Sequence, residues 1–366
     1  MPQLSKLLEI LKKHRGPALA MLIIIVAAVA GLAWRSAHKV DHSFMAQAAR
    51  INDNCAAKPT YGCYKAELNT IVRKDSTEQA TALVKRQYSQ VQFVKSECHQ
   101  LMHVIGRASY AYYGDLGTAF AHGDQFCWSG FYHGIMEQIS DEKGYNYIIK
   151  NANTICQPVA KKYQRYSFND YNCVHGLGHG FMEVLNGDLF KSLSACDSMS
   201  DSWDRSSCYG GVFMQNIMNV QGPEGYDPTN YPYLKADQPM YPCTAVDDKY
   251  KDQCYLMQTS YALSVEKYDF SKVFELCSEA GQYADTCDQS LGRDASGQSI
   301  SDVQKTKDTC LLGATNDAQI NCVIGAAKDF VSYYHDDQKA YQLCAALPAY
   351  ITSTCNNTVK DYFSTF

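Results

Sequence analysis

The sequence contains no Cys-x-x-Cys pair, although it has sixteen cysteines. That absence argues against zinc-ribbon and thioredoxin-like chemistry, both of which need two closely spaced thiols. It also lacks a Gly-x-Ser-x-Gly elbow, so a serine-hydrolase reading has no nucleophile motif. No basic block occurs outside the N-terminus and the net charge is −5, which argues against a nucleic-acid partner. Histidine is nearly missing from the second half: after Cys196 only His335 remains.

What is present points to an oxidising compartment. An even and large number of cysteines suits a disulfide framework, which persists outside the cytoplasm. The N-terminus agrees. Residues 16–34 form an uncharged run about long enough to span a bilayer, preceded by Lys6, Lys12, Lys13 and Arg15. The expectation is a cytoplasmic tail at 1–15, a transmembrane signal anchor at 16–34 and a juxtamembrane spacer at 35–54, with the C-terminal domain periplasmic or extracellular. The rival is a signal peptide cleaved after Ala28-Val-Ala30.

Cys55 and Cys63 bracket a turn, and residues 77–95 carry helical spacing. From Cys156 onward the cysteines fall into the pairs 156/173, 196/208, 243/254, 277/287, 310/322 and 344/355. Equivalent cysteines of the later pairs recur at intervals of 33 to 35, as in 310−277 = 33 and 322−287 = 35. A fixed period of this length is filled by two helices and their turns. Each unit is expected to be a helix ending near one cysteine and a helix beginning at the next, stapled by a disulfide. Residues 270–277 and 341–347 suit the first helix, and 322–334 and 355–363 the second. Cys98 and Cys127 are left as a remaining pair, or as free thiols beside histidines. The fold expected is all-α, an array of disulfide-stapled helical hairpins resembling an α/α solenoid.

In period and cysteine spacing, residues 150–366 resemble the cysteine-rich Sel1/TPR-like repeat proteins. That resemblance implies protein-binding scaffolds and assigns no catalytic residues. The Pro- and Tyr-rich insertion at 221–243 interrupts the repeats. It is either an ordered flap, covering a site or docking a protein partner, or a plain surface insertion.

The chemistry concentrates at 55–190, the His-rich units that precede the repeats of 191–366. In Cys173-Val-His-Gly-Leu-Gly-His-Gly-Phe-Met-Glu183 a helix sets His175, His179 and Glu183 on one face at successive steps of four. Cys127-Trp-Ser-Gly-Phe-Tyr-His-Gly-Ile-Met-Glu137 repeats the pattern with His133 and Glu137, and His99 and His103 repeat the His-x-x-x-His spacing earlier. Histidine pairs one helical turn apart present two imidazoles to one metal, with carboxylates as further ligands or as acid/base groups. The metal ligands expected are His99, His103, His133, His175 and His179, for zinc, iron or copper. Glu137 and Glu183 are expected in catalytic roles. Met136 and Met182 are candidate soft ligands for copper, and Arg107 a candidate ion-pair partner of the two glutamates. Either close helix packing or a bound ligand has to offset Gly176, Gly178 and Gly180, each unfavourable in a helix by about 1 kcal/mol. Two functions remain open on these residues. One is a membrane-anchored, extracytoplasmic metal protein, acting as a metal-dependent enzyme or a metal carrier. The other is a non-enzymatic scaffold binding a protein or envelope partner through its repeats.

Overall fold

The computed structural model describes residues 55–366 except 125, 128–129, 222–230, 300–301, 335 and 366. The expected tail, anchor and spacer lie outside the described residues. Among the described residues no helix is long and apolar enough to cross a membrane.

Among the described residues the fold is all-helical, without strands. In chain order the helices are α1 (Tyr61–Lys74), α2 (Thr77–Tyr88), α3 (Gln92–Ser96), α4 (Cys98–Tyr113), α5 (Leu116–Ala121), α6 (Gly130–Asn151), α7 (Gln157–Tyr163), α8 (Phe168–Val184) and α9 (Leu189–Cys196). There follow α10 (Ser202–Gln221), α11 (Asp248–Val265), α12 (Phe270–Ser278), α13 (Ala284–Gln298), α14 (Val303–Cys310), α15 (Asn316–Tyr334), α16 (Gln338–Ala346) and α17 (Ala349–Phe363). Side-chain caps punctuate them: Ser76, Asp115, Ser167, Asp188, Asp269 and Asp302 each accept from a main-chain N–H of the first turn. The single helix expected over 77–95 is two. After Tyr88 the N–H groups of Gln90 and Val91 both turn back to the Gln87 carbonyl, and Val91 opens the short α3.

All sixteen cysteines are paired, in the eight bridges 55–63, 98–127, 156–173, 196–208, 243–254, 277–287, 310–322 and 344–355. No thiol is free, so a Cys98 or Cys127 nucleophile is excluded. From α9 on, short and long helices alternate except before α11, and the bridge joins the end of the short one to the long one, whereas Cys156 caps the start of α7 and bonds Cys173 on α8. The long helices start earlier than expected: α15 begins six residues before Cys322 (322−316 = 6), and α17 six before Cys355 (355−349 = 6). A Cα–Cα span of 5.3–5.4 Å needs the cysteine on the helix face that packs on its short partner, a turn and a half in from the tip. The segment 231–243 replaces the short helix before α11. Tyr231, Leu234 and Met240 are buried, and the Gln258 amide donates to the carbonyls of Pro239 and Tyr241. This part of the insertion is packed structure; the remainder lies outside the described residues.

The long helices stand side by side, α4 on α6, then α8, α10, α11, α13, α15 and α17. Glycine allows the closest approaches. A Cβ on Gly134 would sit 2.1 Å from the His103 carbonyl oxygen, on Gly211 1.9 Å from that of His175, and on Gly178 2.2 Å from that of Cys208. Helix packing therefore accounts for the glycines between the histidines. The row curls until its ends meet: the Phe126 ring lies 6.0 Å from that of Tyr333, which also bonds the Tyr88 hydroxyl. The curled row borders two open cavities, of about 510 and 400 Å³, which share Met214, Met257 and Arg293 in their walls.

Candidate metal centre

Three adjacent long helices, α4, α6 and α8, carry the histidines at the same height. Because Gly134 brings α6 onto α4, and Gly176 and Gly180 bring α8 onto α6, their rings meet in the interface. The Met136 side chain lies over Gly176, and Ser140 over Gly180. All five expected histidines come together. Ring centroids of neighbouring members are 4.4 to 5.7 Å apart, from the stacked His133–His179 pair to His103–His179. His103, His133, His175 and His179 are buried, and His99 nearly so.

The hydrogen bonds fix most of the tautomers. His99 Nδ1 lies 2.8 Å from the Cys127 carbonyl oxygen, which can only accept, so Nδ1 carries the proton. His103 Nδ1 donates to Glu137 Oε1 at 2.9 Å. His179 Nδ1 donates to Gln215 Oε1 at 2.6 Å. In the His99 and His179 rings, both held neutral by burial, Nε2 is then a bare lone pair. His99 Nε2 and His103 Nε2 face each other at 3.0 Å, and His179 Nε2 is buried with no hydrogen-bond partner. His175 Nε2 and His133 Nδ1 are likewise buried and unpartnered, while His175 Nδ1 lies 3.0 Å from the Tyr171 hydroxyl.

The electrostatics keep these rings ready to donate lone pairs. Burial, and then the neighbouring histidines, hold His133 and His175 well below the usual histidine range. Burial and His103 do the same for His99, and burial brings His179 to about 4. Burial pushes the Glu137 carboxyl up, but His103 and Arg107 outweigh it and hold it at about 2. Glu137 is thus a buried carboxylate, gripped by His103 on one oxygen and by Arg107, 3.4 Å away, on the other.

Three groups bring their donor atoms within 4.8 Å of one another: His99/His103/His133, His133/His175/His179 and His103/Glu137/His179. Glu183 joins none of them. It stands at the rim, its side chain 43% exposed and 3.9 Å from Arg107, with burial and then Glu137 raising its carboxyl. Met136 packs beside the cluster, over Gly176. Its sulfur lies 3.9 Å from Cys173 Sγ, and Met182 is buried, both packed as core filling. Arg107 pairs as expected with Glu137 and, more distantly, Glu183, and adds Asp141 at 3.2 Å. His122 stacks on Tyr113 and bonds Glu78, away from the cluster.

Two site residues were not legible from the histidine pattern. Gln215 comes from α10, which carries no histidine and so gave the pattern no reason to include it. Tyr171 is four residues before His175, so the spacing Tyr-x-x-x-His-x-x-x-His carried it unread.

The fold and site together define a class: a disulfide-stapled helical array with a buried polyhistidine cluster on its inner wall. No protein-family model matches this chain, nor does any curated protein or solved structure.

Proposed function

We propose that this chain is a metal-dependent enzyme acting outside the cytoplasm, tethered to a membrane by its N-terminal segment. The observation that carries this reading is the set of three donor groups, each with its ligand atoms within 4.8 Å of one another, that the five histidines and Glu137 form. In one of these groups His99 Nε2 and His103 Nε2 stand 3.0 Å apart, a contact that a proton or a metal ion between them satisfies, and their Nδ1 atoms are already committed to the Cys127 carbonyl and to Glu137.

A cation there draws its third ligand from His133, whose donor atom completes the group. Glu137 and the Cys127 carbonyl then orient the ligating rings, the carboxylate–histidine arrangement that raises ligand basicity. Any two of the three donor groups share a histidine, so the cluster fully coordinates one ion at a time. His175 and His179 stand beside that ion as neutral bases. An all-imidazole donor set without thiolate suits zinc, iron or copper(II). A three-histidine set leaves a coordination position free, as catalytic sites do and structural sites do not. His99 and His133 each line one of the two cavities, so a molecule in either can reach that position. Such a centre supplies an activated water or a polarised carbonyl, the basis of metal-assisted hydrolysis or elimination. The eight disulfides support an oxidising compartment.

The test is elemental analysis of the chain from about residue 40, secreted through an oxidising compartment and purified without a histidine tag. Near-stoichiometric zinc, iron or copper, lost in His99→Ala/His103→Ala with the disulfides intact, is the expected result. A folded, oxidised protein that neither holds nor takes up these metals would leave the non-enzymatic scaffold reading in its place.

A further inference from the structure

The larger cavity, about 510 Å³, has the histidine cluster at one end, where His133 and His175 form part of its wall. Its sides are largely aromatic and apolar: Phe168, Tyr171, Trp203 and Tyr362, with Met214 and Leu256. A volume of this size holds a small organic molecule. The charged groups in its wall are Asp252, Arg293, Lys328 and Asp329. Three of them are occupied. Asp252 accepts from the Thr286 hydroxyl at 2.8 Å, and Asp329 from the Ser296 hydroxyl. Arg293 is spent on Asp294 at 3.0 Å, on the Leu256 carbonyl at 2.8 Å and on the Ser260 hydroxyl at 3.0 Å.

Lys328 differs. Its ammonium has a neutral partner, the Gln289 side-chain oxygen at 3.1 Å, and that amide is held in place by Asn321 at 3.1 Å. No carboxylate among the described residues forms an ion pair with it. An ammonium in an apolar cavity with one hydrogen bond has two N–H groups left to donate. Burial lowers its pKa, and Asp252 in the same wall opposes that only in part.

We propose that this cavity is the substrate site and that its ligand is a small organic anion with an aromatic or similarly flat apolar body, whose carboxylate is received by Lys328. The flat body packs among Phe168, Tyr171, Trp203 and Tyr362, and its far end is delivered to His133 and His175. This deepens the metal-centre reading by naming the substrate class, and depends on that reading only for what happens at the histidine end. The anion-binding end is carried by Lys328 and stands without a metal.

The experiment is calorimetric titration of the folded, oxidised chain with benzoate and with its neutral isostere benzamide, before and after EDTA treatment. Benzoate is expected to bind at least about tenfold more tightly than benzamide in both preparations, since a charge-assisted hydrogen bond is worth about 1.5–3 kcal/mol. Lys328→Met is expected to erase the preference and Lys328→Arg to keep it. His99→Ala/His103→Ala, which removes the proposed metal, is expected to leave the preference intact. If that variant lacks metal no more than the parent does, while Lys328 still governs benzoate, the metal reading fails and this one survives. Equal binding of the two probes by the unaltered chain, or no binding of either at millimolar concentration, overturns the proposal whatever the variants do. So does benzoate binding that disappears with EDTA yet persists in Lys328→Met, since the carboxylate would then be a metal ligand.

Discussion

His103 joins two partners of opposite demand: its Nδ1 donates to Glu137 Oε1 at 2.9 Å, while its Nε2 faces the Nε2 of His99 at 3.0 Å. The carboxylate fixes a proton on Nδ1, which leaves Nε2 to share a proton or a metal ion with His99. A single glutamate on α6 thereby sets the chemistry of two histidines on α4.

Glu137→Gln tests that dependence. The amide keeps the shape but weakens the hold on His103 Nδ1–H. Metal affinity is expected to fall about 10–100-fold, as for other partners that orient a ligating histidine. Competition against a chromogenic chelator measures it. An unchanged affinity would detach Glu137 from the centre.

The helix spacing that assembles the site depends on Gly211 and Gly178. Alanine at Gly211 would put a methyl 1.9 Å from the His175 carbonyl oxygen, and the backbone there cannot yield without separating α8 from α10. Gly211→Ala is expected to destabilise the oxidised protein by about 3 kcal/mol in urea unfolding. Gly62→Ala, in α1 with open space around its Cβ position, is expected to stabilise by about 0.5 kcal/mol instead.

Acid should unfold the metal-free protein through its histidines. His99, His133, His175 and His179 are held low in the native state, chiefly by burial. In the unfolded chain they titrate near the ordinary histidine value of 6.5. Above that pH neither state takes up protons at these sites, and stability is flat. As pH falls from 6.5 towards the native value of about 4 for His179, the unfolded chain binds protons that the native one refuses, so stability declines. Melting temperature against pH on EDTA-treated protein should bend downward below that point. His133→Gln/His175→Gln should shallow the slope.

Asp288 predicts the opposite slope. Its Oδ1 is buried without a hydrogen-bond partner, and burial, helped by Asp285, pushes its carboxyl up to about 7 from 3.8. Between those values the unfolded chain has released a proton that the native protein retains, so stability falls as pH rises through the window. Asp288→Asn is therefore expected to raise the melting temperature at pH 8, with the gain vanishing near pH 4. A gain that persists at pH 4 would point to packing rather than charge.

Much of this was readable in the chain. The period near 34 in the cysteines implied hairpins, and the bridges from Cys156 on followed because a disulfide across a short loop joins neighbours in sequence. His-x-x-x-His spacing placed two rings on one helix face by helical geometry alone. The same reasoning misplaced the starts of α15 and α17, since cysteine position along a helix is set by the partner helix and not by the cap.

The sequence by itself thus determined the helices, the staples and which residue types bear on chemistry, because all three follow from local periodicity and short loops. Only the tertiary structure decided which of those residues meet. Gly134 and Gly211 set how closely α4, α6, α8 and α10 approach, so Glu137 is drawn into the cluster while Glu183, with the same spacing from its histidine, is left at the rim. The curl of the row brings Lys328, some 150 residues further along (328−175 = 153), into the same cavity as His175, a juxtaposition no local pattern encodes.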